Sequence, residues 1–145
     1  MERSYSFSKT NRLYGTKAVA DLFADGKGHF QFPFKVYWSH KPSMKGFSAR
    51  MLATVPKSYS KKAVSRNLIR RRIKEAYRLH MHLLTEKPTL SALNVCVQLA
   101  FIYVAKEPLE FLLVEKKLKA TLLQVTSLLE KELKTGLNHE VSSVD

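Results

Sequence analysis

The side chains with the clearest chemistry are basic. From Lys57 to Arg78 nine Lys and Arg stand against one acid, Glu75, and from Lys61 to Leu84 there is neither Gly nor Pro, so most of these cations ride on one helix. Counted at about 100° per residue from Arg66, the apolar stripe centres near Ile73, while Asn67, Arg70, Arg71, Lys74 and Arg78 fall roughly 40–140° to one side of it. A solvated helix face ordinarily mixes charges of both signs, so a one-signed flank this dense suits a polyanion. Guanidinium groups grip phosphates bidentately and stack on bases, which fits an Arg-rich flank to folded RNA or DNA. Arg66 projects along the core stripe but lies in the first turn, which directs it out at the end of the sheet, toward a groove between helix and sheet. A second kind of chemistry sits upstream. Lys35 and Tyr37 occupy the strand face opposite Phe34, Val36 and Trp38, and an exposed aromatic beside a lysine stacks single-stranded bases at about 1–3 kcal/mol each. The competing reading for Tyr37 is cross-strand packing.

Other chemistries lack their residues. His80 and His82 are two apart on a helix and point about 200° from one another, so they do not share a metal. His29, His40 and His139 are isolated, no Ser or Cys has an evident general base, and no Gly-rich phosphate loop is present. Residues 1–57 offer only Glu2, Asp21 and Asp25 as hard ligands, too few for two-metal phosphodiester chemistry. The single Cys96 cannot form an internal disulfide framework or a multi-thiolate zinc site, and reads as a reduced, buried small hydrophobe in a cytosolic chain. The sequence therefore predicts no active site and no metal site on the protein itself.

The elements that must position these groups fit one domain. In 145 residues, 45% hydrophobic, there is apolar material for a core, and the net charge of +13 is not spread evenly. Residues 1–50 carry nine basic and three acidic side chains, 51–78 nine and one, and 79–145 seven and eight. Charge confined to one half marks a surface for nucleic acid more readily than for an acidic membrane, since no lipid-inserting apolar face flanks it. The N-terminus lacks the apolar core of a signal peptide and no apolar run approaches a membrane span, so a cytoplasmic protein without membrane contact is expected.

A first helix is predicted over 16–25 with Thr16 as its cap and Gly26 and Gly28 as stop signals; Val19, Leu22 and Phe23 share its inner side. Residues 30–38 alternate, with Phe30, Phe32, Phe34, Val36 and Trp38 inward and Pro33 at an edge or bulge; 47–55 alternate again, and the two read as an antiparallel pair. The basic helix runs over 61–84, a buried strand over 94–105, and a last helix opens at Glu107–Pro108 with Leu118, Leu122, Val125, Leu129 and Leu133 as its stripe. The predicted fold is a mixed α/β (α+β), two-layer α-β sandwich in the order α-β-β-α-β-α. One domain over 1–137 is expected, with 138–145 a flexible tail.

The stretch VPKSYSKKAVSRNLIRRRIKEAYRLH, residues 55–80, resembles the signature of the bacterial ribonuclease P protein component: Thr54-Val55-Pro56-Lys57, Lys61, Lys62-Ala63-Val64, Arg66-Asn67, Ile69, Arg70-Arg71 and Lys74-Glu75-Ala76-Tyr77-Arg78 match in order. Upstream, Asn11-Arg12-Leu13, Val19, Leu22-Phe23 and Gly26 fit the family's N-terminal segment, so the resemblance covers about residues 7–135. Two positions depart from the pattern: Leu68 stands where the family has the second Arg of an Arg-Asn-Arg triplet, and Leu52 where a Gly is common. On the helical count Leu68 lies at about 200°, off both the core stripe and the basic flank, with Arg72 as a neighbouring charge.

The resemblance implies the protein subunit of an endonuclease that removes the 5′ leader of precursor tRNA, with cleavage carried out by Mg²⁺ held mainly on a catalytic RNA. It also implies the fold shared with the second domain of a small-subunit ribosomal protein. It further implies one protein per catalytic RNA, and RNA-binding roles for Lys57, Lys61, Lys62, Arg66, Asn67, Arg70, Arg71, Lys74 and Arg78. A leader cleft would fall to Phe7, Arg12, Phe23, Lys35 and Tyr37; for Phe23 the competing reading is plain core burial. Composition and charge alone also fit a structural RNA-binding protein or RNA chaperone of ribosomal type.

Overall fold

The computed structural model describes residues 12–13 and 15–143, with residues 16 and 135–143 described by their backbone alone. In chain order the elements are α1 (Thr16–Asp25), β1 (Lys27–Gln31), β2 (Phe34–Pro42), β3 (Ser48–Thr54), α2 (Ala63–His80), two single-turn helices α3 (His82–Thr85) and α4 (Pro88–Ser91), β4 (Val95–Tyr103) and α5 (Phe111–Ser143). No helix among the described residues is long and apolar enough to cross a membrane.

The four strands lie in the order β1-β2-β4-β3, antiparallel except for the parallel pair β3–β4. The expected antiparallel pairing of the second and third strands is thus corrected: β4 inserts between them. Its sequence explains why. Val97, Gln98, Leu99, Ala100 and Phe101 are consecutively buried, and a strand buried on both faces belongs in the interior of a sheet covered from both sides. The alternating strands on either hand, each half-buried, take the flanking places.

One face of the sheet carries the main core. Phe34, Val36 and Trp38 of β2, Ala49, Met51 and Ala53 of β3, and Val97, Leu99, Phe101 and Tyr103 of β4 meet Ile69, Ile73, Ala76 and Tyr77 of α2 and Val114, Leu118, Leu122, Val125 and Leu129 of α5. These helical positions are spaced by three and four residues, so a single stripe of each helix is buried. Leu133, the last of the expected α5 stripe, is half-buried against the same core. Burial of each large side chain contributes about 1.5–3 kcal/mol. The opposite face is partly covered by α1: Leu22 and the adjoining Leu13 close on Ala100, with Ala18, Val19, Tyr37 and Leu52 around them.

The expected single strand over 30–38 is two strands. Phe32 and Pro33, joined by a cis peptide, form a two-residue turn between β1 and β2. The register pairs Gln31 with Phe34, Phe30 with Lys35 and Gly28 with Tyr37. Directly opposed residues share a face, so the even positions of β1 lie with the odd positions of β2. Phe30 therefore stands on the outer face, 64% exposed, and Phe32 at the turn is 52% exposed; neither joins the inward stripe of Phe34, Val36 and Trp38. Gly28 serves that outer face too: a Cβ there would come within 3.2 Å of the Tyr37 ring.

Smaller boundaries also shift. Gly15, not Thr16, caps α1, at φ 98°, a backbone conformation that glycine adopts without strain. Gly26 ends the helix as expected, its N–H returning to the Leu22 carbonyl at 2.8 Å. The basic helix stops at His80, and Leu84 is buried from α3. The last helix begins at Phe111 instead of Pro108 because the Tyr103 hydroxyl donates to the Glu107 carbonyl and accepts from Leu109 N–H at 3.2 Å, holding 104–110 as a loop. It continues to Ser143, past residue 137 where the domain was expected to end. Cys96 is free and half-buried, less enclosed than expected. Toward its C-terminal part α5 is anchored by Glu132, which accepts from Trp38 Nε1 at 3.3 Å and pairs with His40 Nε2 at 3.0 Å and Lys27 Nζ at 3.3 Å.

Candidate nucleic-acid interface

Burial of Ile69, Ile73, Ala76 and Tyr77 fixes the rotation of α2, and that rotation aims one basic ridge across the edge of β3. Asn67, Arg70 and Lys74, three and four residues apart, line a groove of about 330 Å³ together with Arg12, Leu13, Met51, Leu52 and Ala53. The opposite wall is held by backbone pairing, since Arg12 bridges to Met51 in parallel and Leu13 N–H donates to the Met51 carbonyl at 3.0 Å. Three cations thus converge on a concave surface with no carboxylate among its described lining residues. The Arg70 guanidinium donates to Asn67 Oδ1, which steadies both side chains in the groove.

The approach to the helix is equally basic. Lys57, Lys61 and Lys62 are exposed on the loop and first turn. Lys62 caps α2 without a side-chain hydrogen bond, and the first turn holds no acid, so the positive end of the helix dipole adds to the lysines. Arg66 does not lean freely into the groove: its Nη1 donates to the Ser60 carbonyl at 2.7 Å, binding the loop to the helix that follows it. Arg71 is exposed. Arg78, at the far end, is paired with Glu75 through Nε at 3.0 Å and Nη2 at 2.6 Å; that hydrogen bonding holds the Glu75 carboxyl below its ordinary range and raises the guanidinium further. Leu68, 43% exposed, sits outside the core and away from the groove lining. Arg72, the neighbouring charge, has its Nη1 donating to the Leu109 carbonyl at 2.6 Å, which ties it to the loop after β4.

A second constellation lies on the outer face of the sheet. The rings of Phe23 and Tyr37 meet edge to face at 5.3 Å, and Lys35 Nζ lies 5.3 Å from the Tyr37 centroid. Phe23 is 39% exposed, so it is not a core residue, whereas Tyr37 is half-buried with one side packed on α1 and β4. A solvated ring backed by a fixed one, beside an ammonium, can stack a base and neutralise its phosphate. Arg12, expected beside these residues, lines the α2 groove, and its neighbour Leu13 both lines that groove and packs into the outer cluster with Leu22 and Ala100. Phe7 lies outside the described residues. Sequence reasoning passes over Phe30, which shares the outer face with Lys35; the signal is the two-residue turn, which inverts the inward–outward alternation between its strands. Among the described residues no group of three or more His, Cys, Asp or Glu is placed to hold a metal ion.

A four-stranded mixed sheet with a basic helix facing a cationic groove, and an aromatic–lysine cluster on its other side, fits an α+β protein of the nucleic-acid-binding class. The family model described as Ribonuclease P matches residues 7–131. The ribonuclease P protein component of Porphyromonas gingivalis is 30% identical over 84% of this chain and 88% of its own length. In solved structures, the RNase P protein from Thermotoga maritima superposes with a TM-score of 0.60 at 21% identity, over 78% of this chain and 96% of that one. That of Staphylococcus aureus gives 0.58 at 21%, over 79% and 94%. The chain belongs to the ribonuclease P protein family, and with it to an endoribonuclease that processes tRNA and contains ribonuclease P RNA. Membership decides between the two classes that charge and composition left open, in favour of the processing subunit over a ribosomal-type structural protein.

Proposed function

We propose that this chain binds ribonuclease P RNA through the α2 groove and its basic approach, and the 5′ leader of precursor tRNA through the outer face of the sheet. The observation that carries this reading is the placement of two different RNA chemistries on one small sheet. The groove of Arg12, Asn67, Arg70 and Lys74 offers cations and bidentate donors suited to the backbone of folded RNA. The cluster of Phe23, Tyr37 and Lys35 offers faces for unpaired bases. Held on opposite sides of a rigid scaffold, they let one protein grip a structured RNA and a single strand together. Cleavage itself falls to Mg²⁺ bound on the RNA subunit; the protein contributes affinity and charge neutralisation, acting as one copy per catalytic RNA in the cytoplasm, where tRNA precursors are processed.

The test is cleavage of a precursor tRNA by a bacterial ribonuclease P RNA at low Mg²⁺, with and without the purified chain, and with the chain alone. Product ending at the mature 5′ terminus only when both are present is the expected result. Cleavage by protein alone, or no stimulation with any of several bacterial ribonuclease P RNAs, overturns it. Within the assembled enzyme, Tyr37→Ala should weaken binding of leader-bearing precursor more than of mature tRNA, by about fivefold or more from one lost stack. Equal losses for the two ligands would remove Tyr37 from leader binding.

A further inference from the structure

We propose that Phe30 is a further stacking site for the single-stranded leader, one nucleotide step beyond Tyr37, so that the outer face reads a longer stretch of leader than the Phe23–Tyr37 cluster alone. This rests on the reading of that face as the leader surface.

The ladder supplies the geometry. Phe30 is directly opposite Lys35, and Gly28 directly opposite Tyr37, which makes Phe30 and Tyr37 diagonal neighbours on one face at about 7–8 Å. Lys35 stands between them: it is the cross-strand partner of Phe30 and its Nζ lies 5.3 Å from the Tyr37 ring. Two aromatic faces with an ammonium between them match two successive unpaired bases and the phosphate that joins them. Gly28 keeps the surface low between the rings, since any side chain there would press on Tyr37.

Nothing in the packing of the fold calls for an exposed ring at Phe30. At 64% it is the most exposed aromatic ring among the described residues, on an edge strand, where bare apolar surface invites unwanted pairing. Phe23, at 39%, already has its edge against Tyr37. The one charge opposite Phe30 is the cation Lys35, in a chain of net charge +13, which suits an anionic strand better than a second copy of this protein.

The experiment measures affinity of the enzyme, full chain assembled with ribonuclease P RNA, for precursor tRNAs carrying leaders of increasing length and for mature tRNA. Phe30→Ala, Phe30→Leu, Phe30→Trp and Tyr37→Ala are compared with the unaltered chain. Phe30→Ala and Phe30→Leu are expected to lose about fivefold or more, only for leaders longer than the length at which Tyr37→Ala first has an effect; Phe30→Trp should retain full affinity. Full affinity in Phe30→Leu would show that apolar area and not a ring is required, and overturns stacking. A loss independent of leader length, a lowered unfolding midpoint, or a shift in self-association without a leader effect would assign Phe30 to packing within the chain or between copies, and overturns it too. If Tyr37→Ala keeps its leader-dependent effect while Phe30→Ala has none, this inference alone fails. If neither responds to the leader, the leader-face reading fails with it.

Discussion

Arg70 and Arg71 are adjacent in sequence and unequal in surroundings: Arg70 is half-buried in the groove against Asn67, while Arg71 projects into solvent. Neither pairs with an acid among the described residues, unlike Arg78, whose charge is largely taken up by Glu75. Replacing Arg70 and Arg71 together by Ala should therefore weaken association with ribonuclease P RNA and flatten its dependence on salt, by about 0.7–0.9 in log–log slope for each phosphate no longer neutralised. Arg78→Ala should change that slope less. Titrating RNA binding at several salt concentrations checks both, and an unchanged slope in the double variant would take the flank out of the interface. At this scale the sequence is informative wherever helical angle alone decides direction, as for Asn67, Arg70 and Lys74. It is silent on where a long side chain ends: spacing offers Arg66 and Arg72 as available cations, yet each guanidinium is taken up by a backbone carbonyl, of Ser60 and Leu109, that no spacing rule reveals.

Among the elements, α5 makes the rule of periodicity testable. Leu122 is fully buried against the sheet and Leu123 is 46% exposed, one residue and about 100° away. Leu122→Ala should cost about 2–5 kcal/mol through lost burial and the cavity left behind, whereas Leu123→Ala should change stability by no more than about 0.5 kcal/mol; urea unfolding of the two variants decides. Helices are legible because their burial follows a local period. The strands are legible as strands, but their pairing is not. Alternation over 30–38 hides the turn at Phe32–Pro33, because a two-residue turn leaves the apolar rhythm of the sequence intact while exchanging the faces. The short link from β2 to β3 suggests a hairpin, yet β4, buried without a break from Val97 to Phe101, takes the place between them.

The molecule as a whole is organised around a division of charge: its first 78 residues form both the cationic groove and the aromatic–lysine cluster, and the remainder, near neutral, supplies the interior strand β4 and the helix that backs it. The two parts are joined across the sheet by Glu132. Its partial burial raises the carboxyl's pKa, but hydrogen bonds from Trp38 and Lys27 and the charges of Lys27 and His40 more than offset this and hold it below the ordinary 4.5. A carboxyl depressed in the folded state contributes stability above its unfolded pKa and loses it as pH falls through the folded value. Glu132→Gln should thus lower stability by about 1 kcal/mol near neutral pH, with the gap to the unaltered protein closing as pH drops below 4.5; unfolding curves across that range measure it. The place of β4 between β2 and β3 has a consequence for how the protein is made. The side chains of the cationic groove and of the aromatic–lysine cluster all lie before Arg78, yet within the sheet β2 and β3 are not bonded to one another and are joined through Val95–Tyr103. The strand that ties the sheet half carrying the aromatic–lysine cluster to the half carrying the groove is thus made after both, and the nascent chain can fix the two surfaces relative to one another through the sheet only when translation has passed β4.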